Sequence, residues 1–223
     1  MKQKMKENRK KILEWFEKHG PEPKSELNFT NPYEILVAVM LSAQCTDKRV
    51  NMTTPALFAK YPDAESLAKA KEKDIFNYIR SISFPNSKAA HLSGMAKKLV
   101  NDFGGAVPRE IEQLETLPGV GRKSANVVAS ICFNKPVIAV DTHVFRVAHR
   151  IGFSQGSTPL EVEEDLEKII PVDKRAKAHH WLILHGRYVC KSAKPMCEEC
   201  EISKWCPKLL ENSKLDKQRK KEK

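Results

Sequence analysis

The chain has 223 residues, 41% hydrophobic and 30% charged, which argues against wholesale disorder and leaves room for one generous domain or two small ones. Lys and Arg outnumber Asp and Glu by 39 to 28, and the excess sits at the ends: residues 1–11 carry six basic and one acidic side chain, residues 208–223 seven and three. This balance points to a polyanionic partner, although basic tails also serve solubility, and the longest apolar run, Ile35 to Leu41, is far too short for a bilayer.

Taken in chain order, the opening MKQKMKENRKK has no apolar stretch behind its basic residues, so no secretory signal is expected. The six cysteines are then expected to be reduced thiols or metal ligands, and the cytoplasm, or the nucleoid within it, is the expected location. Asn31-Pro32-Tyr33-Glu34 offers an N-cap, a proline at the first helical position and a glutamate at N3. The apolar run that follows predicts a buried helix, with Thr46 capping the next. Asn86 is expected to open a helix with Ala89, Ala90, Leu92, Met95, Ala96, Leu99 and Val100 on one face, ended by Gly104-Gly105. Ile111–Thr116 is short and amphipathic, and Arg122–Cys132 reads as helix. Pro136–Val140 is the one strand-like piece. A helix is expected over Thr142–Arg150 and another after Thr158-Pro159-Leu160-Glu161, closed by Pro171. The whole predicts an all-α protein of about ten short helices.

Between two of these helices lies Leu117-Pro118-Gly119-Val120-Gly121. Two glycines one residue apart permit a tight turn and expose backbone N–H groups beside a helix N-terminus, which suits a phosphate oxygen. Such a contact, at Gly119, Val120 and Gly121, is largely indifferent to base sequence. Lys123 follows at once and reads alone as either a phosphate-binding lysine or an amine nucleophile. Asp141 reads alone as either an N-cap or a carboxylate that takes up a proton or stabilises cationic charge. Cys190, Cys197, Cys200 and Cys206 fall within 17 residues, and four clustered thiolates call for a metal, with zinc the generic choice. Cys45 and Cys132 border apolar helices and read as packing residues. Lys191 and Lys194 sit inside the cysteine loop, where a phosphate contact and a solvated charge are equally open.

The string LPGVGRKSANVV, from Leu117, closely resembles the helix-hairpin-helix of the endonuclease III family of DNA glycosylases. The resemblance continues through Val140–Val147 (VDTHVFRV), His179–Arg187 (HHWLILHGR) and the four cysteines, and covers roughly residues 10–207. It implies that Lys123 is the nucleophile, that Asp141 assists it, and that Cys190, Cys197, Cys200 and Cys206 hold a 4Fe–4S cluster. It further implies that Gln44 inserts into the duplex and faces the orphaned base. A wedge at Phe84 is expected too, although Ser83-Phe84-Pro85-Asn86-Ser87-Lys88-Ala89 departs from the family's G-L-Y-N-S-K-A-like stretch, which bears on the loop's conformation and substrate preference.

As a fold, the resemblance implies two helical domains with DNA and the reactive lysine at their junction. Residues 25–135 would form a six-helix barrel with the hairpin, 1–24 and 136–212 an iron–sulfur cluster domain, and 213–223 a basic tail. The implied function is a bifunctional DNA glycosylase and AP lyase of base excision repair, acting as a monomer on oxidised pyrimidines in damaged double-stranded DNA, with no membrane role. A related branch that excises adenine lacks the nucleophilic lysine, so Lys123 argues against it. Lys123 and Asp141 together also argue against a non-catalytic, metal-stabilised DNA-binding module. Lys88 and Lys194 are the next candidate amines after Lys123.

Overall fold

The computed structural model describes residues 2–21 and 25–208. Among the described residues the chain forms eleven α-helices and one 3-10 turn, with no β-strand, as an all-α protein should. They divide into two compact units, one formed by Ser25–Lys135 and one by the described parts of Met1–Lys24 and Pro136–Lys223. Residues 209–223, and with them the basic tail expected over 213–223, lie outside the described residues. Helix α1 (Lys2–His19) belongs to the second unit.

In the Ser25–Lys135 unit, α2 (Pro32–Ser42) buries Tyr33 and every residue from Ile35 to Leu41. A helix apolar all round must be enclosed, and α2 packs against α3 (Asp47–Lys60), α6 (Pro85–Phe103) and α8 (Arg122–Phe133). Asn31 caps it by accepting the Glu34 N–H at 3.0 Å. Glu34 does not complete the reciprocal capping box; its carboxylate reaches one residue further back, to the Thr30 N–H at 2.6 Å and hydroxyl at 2.9 Å. Thr46 caps α3 as expected, accepting the Arg49 N–H at 3.3 Å.

Helix α6 lies along α4 (Ala64–Ala68) and α5 (Glu72–Ile79). It begins at Pro85, one residue before the expected Asn86, because Phe84 takes the N-cap position in left-handed backbone, φ +56°. Its end is a Schellman-like turn, with the Gly105 N–H donating to Leu99 O at 2.9 Å. The short α7 (Ile111–Glu115) leads into the hairpin before α8.

The second unit closes α1 against α9 (Thr142–Arg150), α10 (Pro159–Ile169) and α11 (Arg175–Tyr188), the last preceded by the 3-10 turn Val172–Lys174. Ile12 and Phe16 of α1 share a core with Ile138, Val144, Val147, Leu166, Trp181, Leu182 and Ile202. The Phe16 ring lies parallel to Trp181 with centroids 6.1 Å apart, and Arg9 Nε donates to Gly152 O at 2.7 Å. Helices α9 and α11 approach closely at Gly186, where a Cβ would lie 2.9 Å from His143 Cβ. The strand-like Pro136–Val140 forms neither helix nor strand. Ile138, Ala139 and Val140 are buried by side-chain packing rather than by strand pairing.

Candidate functional site

The hairpin follows α7 directly. Gly119 has φ +79°, a left-handed conformation, and a Cβ there would lie 2.8 Å from His91 Cβ and Cγ. Both facts require glycine. Gly121 differs. Its φ is −96°, ordinary for any residue, and a Cβ would meet nothing within 4 Å. A conformation closed to side chains is therefore found at Gly119 and not at Gly121. Val120 has its side chain buried, and its N–H donates to Leu117 O at 3.0 Å, so it anchors the turn from within. No side-chain cap hydrogen bond is made at the N-terminus of α8, which carries the positive end of the helix dipole.

Lys123 is the second residue of α8, and its side chain is exposed. In the other unit, Asp141 is the N-cap of α9 and half-buried. Its Oδ1 accepts both the His143 and the Val144 N–H, each at 2.8 Å. Oδ2 takes part in neither bond, so capping engages one oxygen of the carboxylate and leaves the other.

Gln44 and Phe84 belong to the Ser25–Lys135 unit. Gln44 lies in the turn between α2 and α3, beyond the helix end, exposed and with φ +54°. Phe84 is 62% exposed with φ +56°. Left-handed backbone at two non-glycine residues costs about 1–3 kcal/mol at each. Lys88, a reserve nucleophile by sequence, is not a free amine. It is 8% exposed, and its Nζ donates to Leu41 O at 2.8 Å and Ala43 O at 2.7 Å. Burial lowers its pKa from the ordinary lysine value. Its bonds span more than 40 residues of chain, and nothing in the local sequence marks them.

Cys190, Cys197, Cys200 and Cys206 line one small, partly open, mainly apolar cavity, together with Arg150, Ile151, His185 and Ile202. The Cys206 thiol lies 3.4 Å from Arg150 O, and the Lys208 N–H donates to Cys206 Sγ at 3.3 Å. Arg150 is buried; its guanidinium holds Lys191 O at 2.7 Å and Ser192 O at 3.0 Å, with Nη1 3.6 Å from Cys190 Sγ. One turn earlier, Arg146 donates to Gly186 O at 2.8 Å and Cys190 O at 3.2 Å. These two arginines, four apart on α9, fasten the start of the cysteine loop. Sequence reading missed them, although their i, i+4 spacing just after Asp141 is a usable signal.

Burial raises the Cys200 and Cys206 thiols above the usual cysteine range, so their thiolates call for positive charge or a metal. Four thiols facing one space, with N–H groups near sulfur, fit a thiolate-ligated group. Among the described residues no three His, Cys, Asp or Glu side chains are grouped to hold a single metal ion. Lys194 is exposed in this loop. His185 lines the cavity with Nε2 3.8 Å from Cys200 Sγ, and burial lowers its pKa to about 4. Cys45 and Cys132 pack against the core of the other unit, as expected. No helix among the described residues is long and apolar enough to cross a membrane.

Residues 37–172 match the HhH-GPD superfamily base excision DNA repair protein model. Endonuclease III of Rickettsia conorii is 49% identical over 196 residues, which are 88% of this chain and 93% of that protein. Endonuclease III of Escherichia coli is 43% identical over 201 residues, 90% and 95% of the two chains. A non-covalent endonuclease III–DNA complex superposes with a TM-score of 0.86 at 39% identity, covering 98% of this chain and 99% of that one. A trapped endonuclease III–DNA covalent intermediate does so with a TM-score of 0.84 at 39% identity and 99% coverage of both. With relatives this similar along nearly the whole length, the chain belongs to the endonuclease III family within the HhH-GPD superfamily of base excision DNA repair proteins.

Proposed function

We propose that the protein removes oxidised pyrimidines from double-stranded DNA as a DNA glycosylase and cuts the strand 3′ of the resulting abasic site as an AP lyase, in base excision repair. The observation that carries this reading is Lys123, exposed on the first turn of α8 directly behind the hairpin. The N-terminus of α8 and the hairpin backbone take a phosphate, which brings the sugar to an amine without reading its base.

The neutral Lys123 Nζ attacks C1′ of the damaged nucleotide. The glycosidic bond breaks and the base leaves with its electron pair, taking up a proton from solvent. The ammonium formed at C1′ then passes a proton to O4′ as the C1′–O4′ bond opens, giving an iminium. The iminium acidifies C2′; loss of that proton expels the 3′ phosphate, and water releases the enzyme. Asp141 stabilises cationic sugar character through the oxygen that capping leaves aside. Gln44 and Phe84 enter the duplex, Gln44 facing the orphaned base and Phe84 wedging a base step. Lys194 adds a phosphate contact. The four cysteines would hold a 4Fe–4S cluster, which when bound supplies cross-links among four points of the loop and no chemistry at the sugar. The enzyme acts as a monomer in the cytoplasm, at the nucleoid where its substrate is.

Incubation with duplexes carrying thymine glycol or a pre-formed abasic site tests this. Both should be nicked, and borohydride should trap a covalent protein–DNA adduct. Lys123→Gln should abolish nicking and trapping while leaving the circular dichroism unchanged. An adduct that persists in Lys123→Gln would give the nucleophile to another amine and overturn the assignment.

A further inference from the structure

Lys88 is used by none of the roles above, and its surroundings are unusual. A lysine this buried normally meets a carboxylate, whereas its ammonium meets two backbone carbonyls. Leu41 lies in the last turn of α2, and Ala43 is the C-cap residue immediately before Gln44. Carbonyls at a helix end have no partner within the helix and carry the negative end of its dipole. An ammonium with three donors caps two of them at once. The backbone of the same residue is bonded to the other tip: the Lys88 N–H donates to Phe84 O at 3.1 Å. Lys88 thus joins, through one residue, the backbone beside two exposed left-handed positions, Gln44 and Phe84.

Side-chain packing alone would be served by Leu or Met at this position, without the desolvation of a charge. The ammonium gives what an apolar stem cannot: a fixed distance between the end of α2 and the first turn of α6. We propose that Lys88 is a positioning residue for nucleotide extrusion, clamping the Gln44 turn to the Phe84 turn so that the two side chains enter the duplex as one rigid pair. This rests on the reading of Gln44 and Phe84 as the inserting residues. Their effect requires simultaneous occupation of two adjacent spaces in the stack, and a misplacement near 1 Å costs up to ~10²-fold in rate.

The test combines Lys88→Met, which keeps the stem and removes charge and donors, with Lys88→Arg and with the pair Gln44→Ala/Phe84→Ala. Duplexes carry thymine glycol beside 2-aminopurine, whose fluorescence reports unstacking. Lys88→Met should bind undamaged duplex like the parent, yet lose about 10–100-fold in single-turnover excision and in the rate of fluorescence rise. Nicking of a pre-formed abasic duplex should fall much less, and Lys88→Arg should restore most of the excision. In the Gln44→Ala/Phe84→Ala background, Lys88→Met should add almost nothing, because residues that act as a unit are non-additive.

Full excision by Lys88→Met, or a loss that multiplies undiminished onto the tip variant, would overturn the clamp while leaving the insertion reading intact. Full excision by Gln44→Ala/Phe84→Ala would overturn the insertion reading and the clamp with it. Should Lys88→Met lack a native circular dichroism spectrum, Lys88→Gln, which keeps one donor group without the charge, carries the same expectations.

Discussion

Gln44 and Phe84, in the Ser25–Lys135 unit, stand in left-handed backbone with their side chains in solvent. Cys190, Cys197, Cys200 and Cys206, in the other unit, turn theirs into a shared cavity behind two arginines. The first region combines strained backbone with exposure; the second is held by two arginines that bond the carbonyls of its loop. On the proposed function, the side chains that meet DNA are held out on constrained backbone, and the side chains that hold a cluster are drawn in and fastened.

The strongest way to break this contrast is through the cysteines. Cys197→Ser should cost folding or solubility outright, since a ligand-dependent loop seldom survives loss of a ligand. The parent should be yellow-brown, with about four iron and four acid-labile sulfide per chain; a colourless, folded and active protein with one zinc would sink the cluster. Next in size comes Asp141→Asn. It preserves the cap on α9, so circular dichroism and melting should be nearly unchanged, while base excision should fall about 10²–10⁴-fold. Nicking of a pre-formed abasic site should fall less, because no base remains to be expelled. A loss of excision below about tenfold would confine Asp141 to capping.

Much of this was legible in the sequence because its determinants are local. Asn31, Thr46, Asp141 and Thr158 cap the helices they precede, since a side-chain oxygen placed before an apolar periodicity has one obvious donor to meet. The LPGVGRK string and the cysteine spacing placed the hairpin and the thiol cavity. What stayed hidden depends on distant partners or on backbone that the residue type does not announce. Lys88 bonds across more than 40 residues. Phe84 is left-handed without being glycine, which shifted the start of α6. Pro136–Val140 has the composition of a strand but no neighbouring strand to pair with among the described residues.

The two hairpin glycines sharpen the contrast at the smaller end of the scale. Gly119→Val should destabilise the free protein by about 1–3 kcal/mol, through its positive φ and the clash with His91, and should weaken binding to damaged and undamaged duplex alike. Gly121→Ala should leave the melting temperature within the range of a neutral surface change, about ±0.5 kcal/mol, yet still weaken DNA binding by crowding the phosphate. Equal melting losses for the two variants would mean that both glycines serve the chain itself. Unchanged affinity in Gly121→Ala would move the phosphate away from this turn.

The partnership of α1 with residues 138–202 has a consequence during synthesis. Ile12 and Phe16 leave the ribosome early, but their core neighbours begin at Ile138, more than a hundred residues later. At a translation rate of ~5–20 residues per second, the apolar face of α1 waits on the order of 6–25 s for its partners. The Ser25–Lys135 unit is itself made within that interval and can complete its core before the last partner of α1, Ile202, is added, while α1 remains a nascent segment exposed to chaperones and proteases.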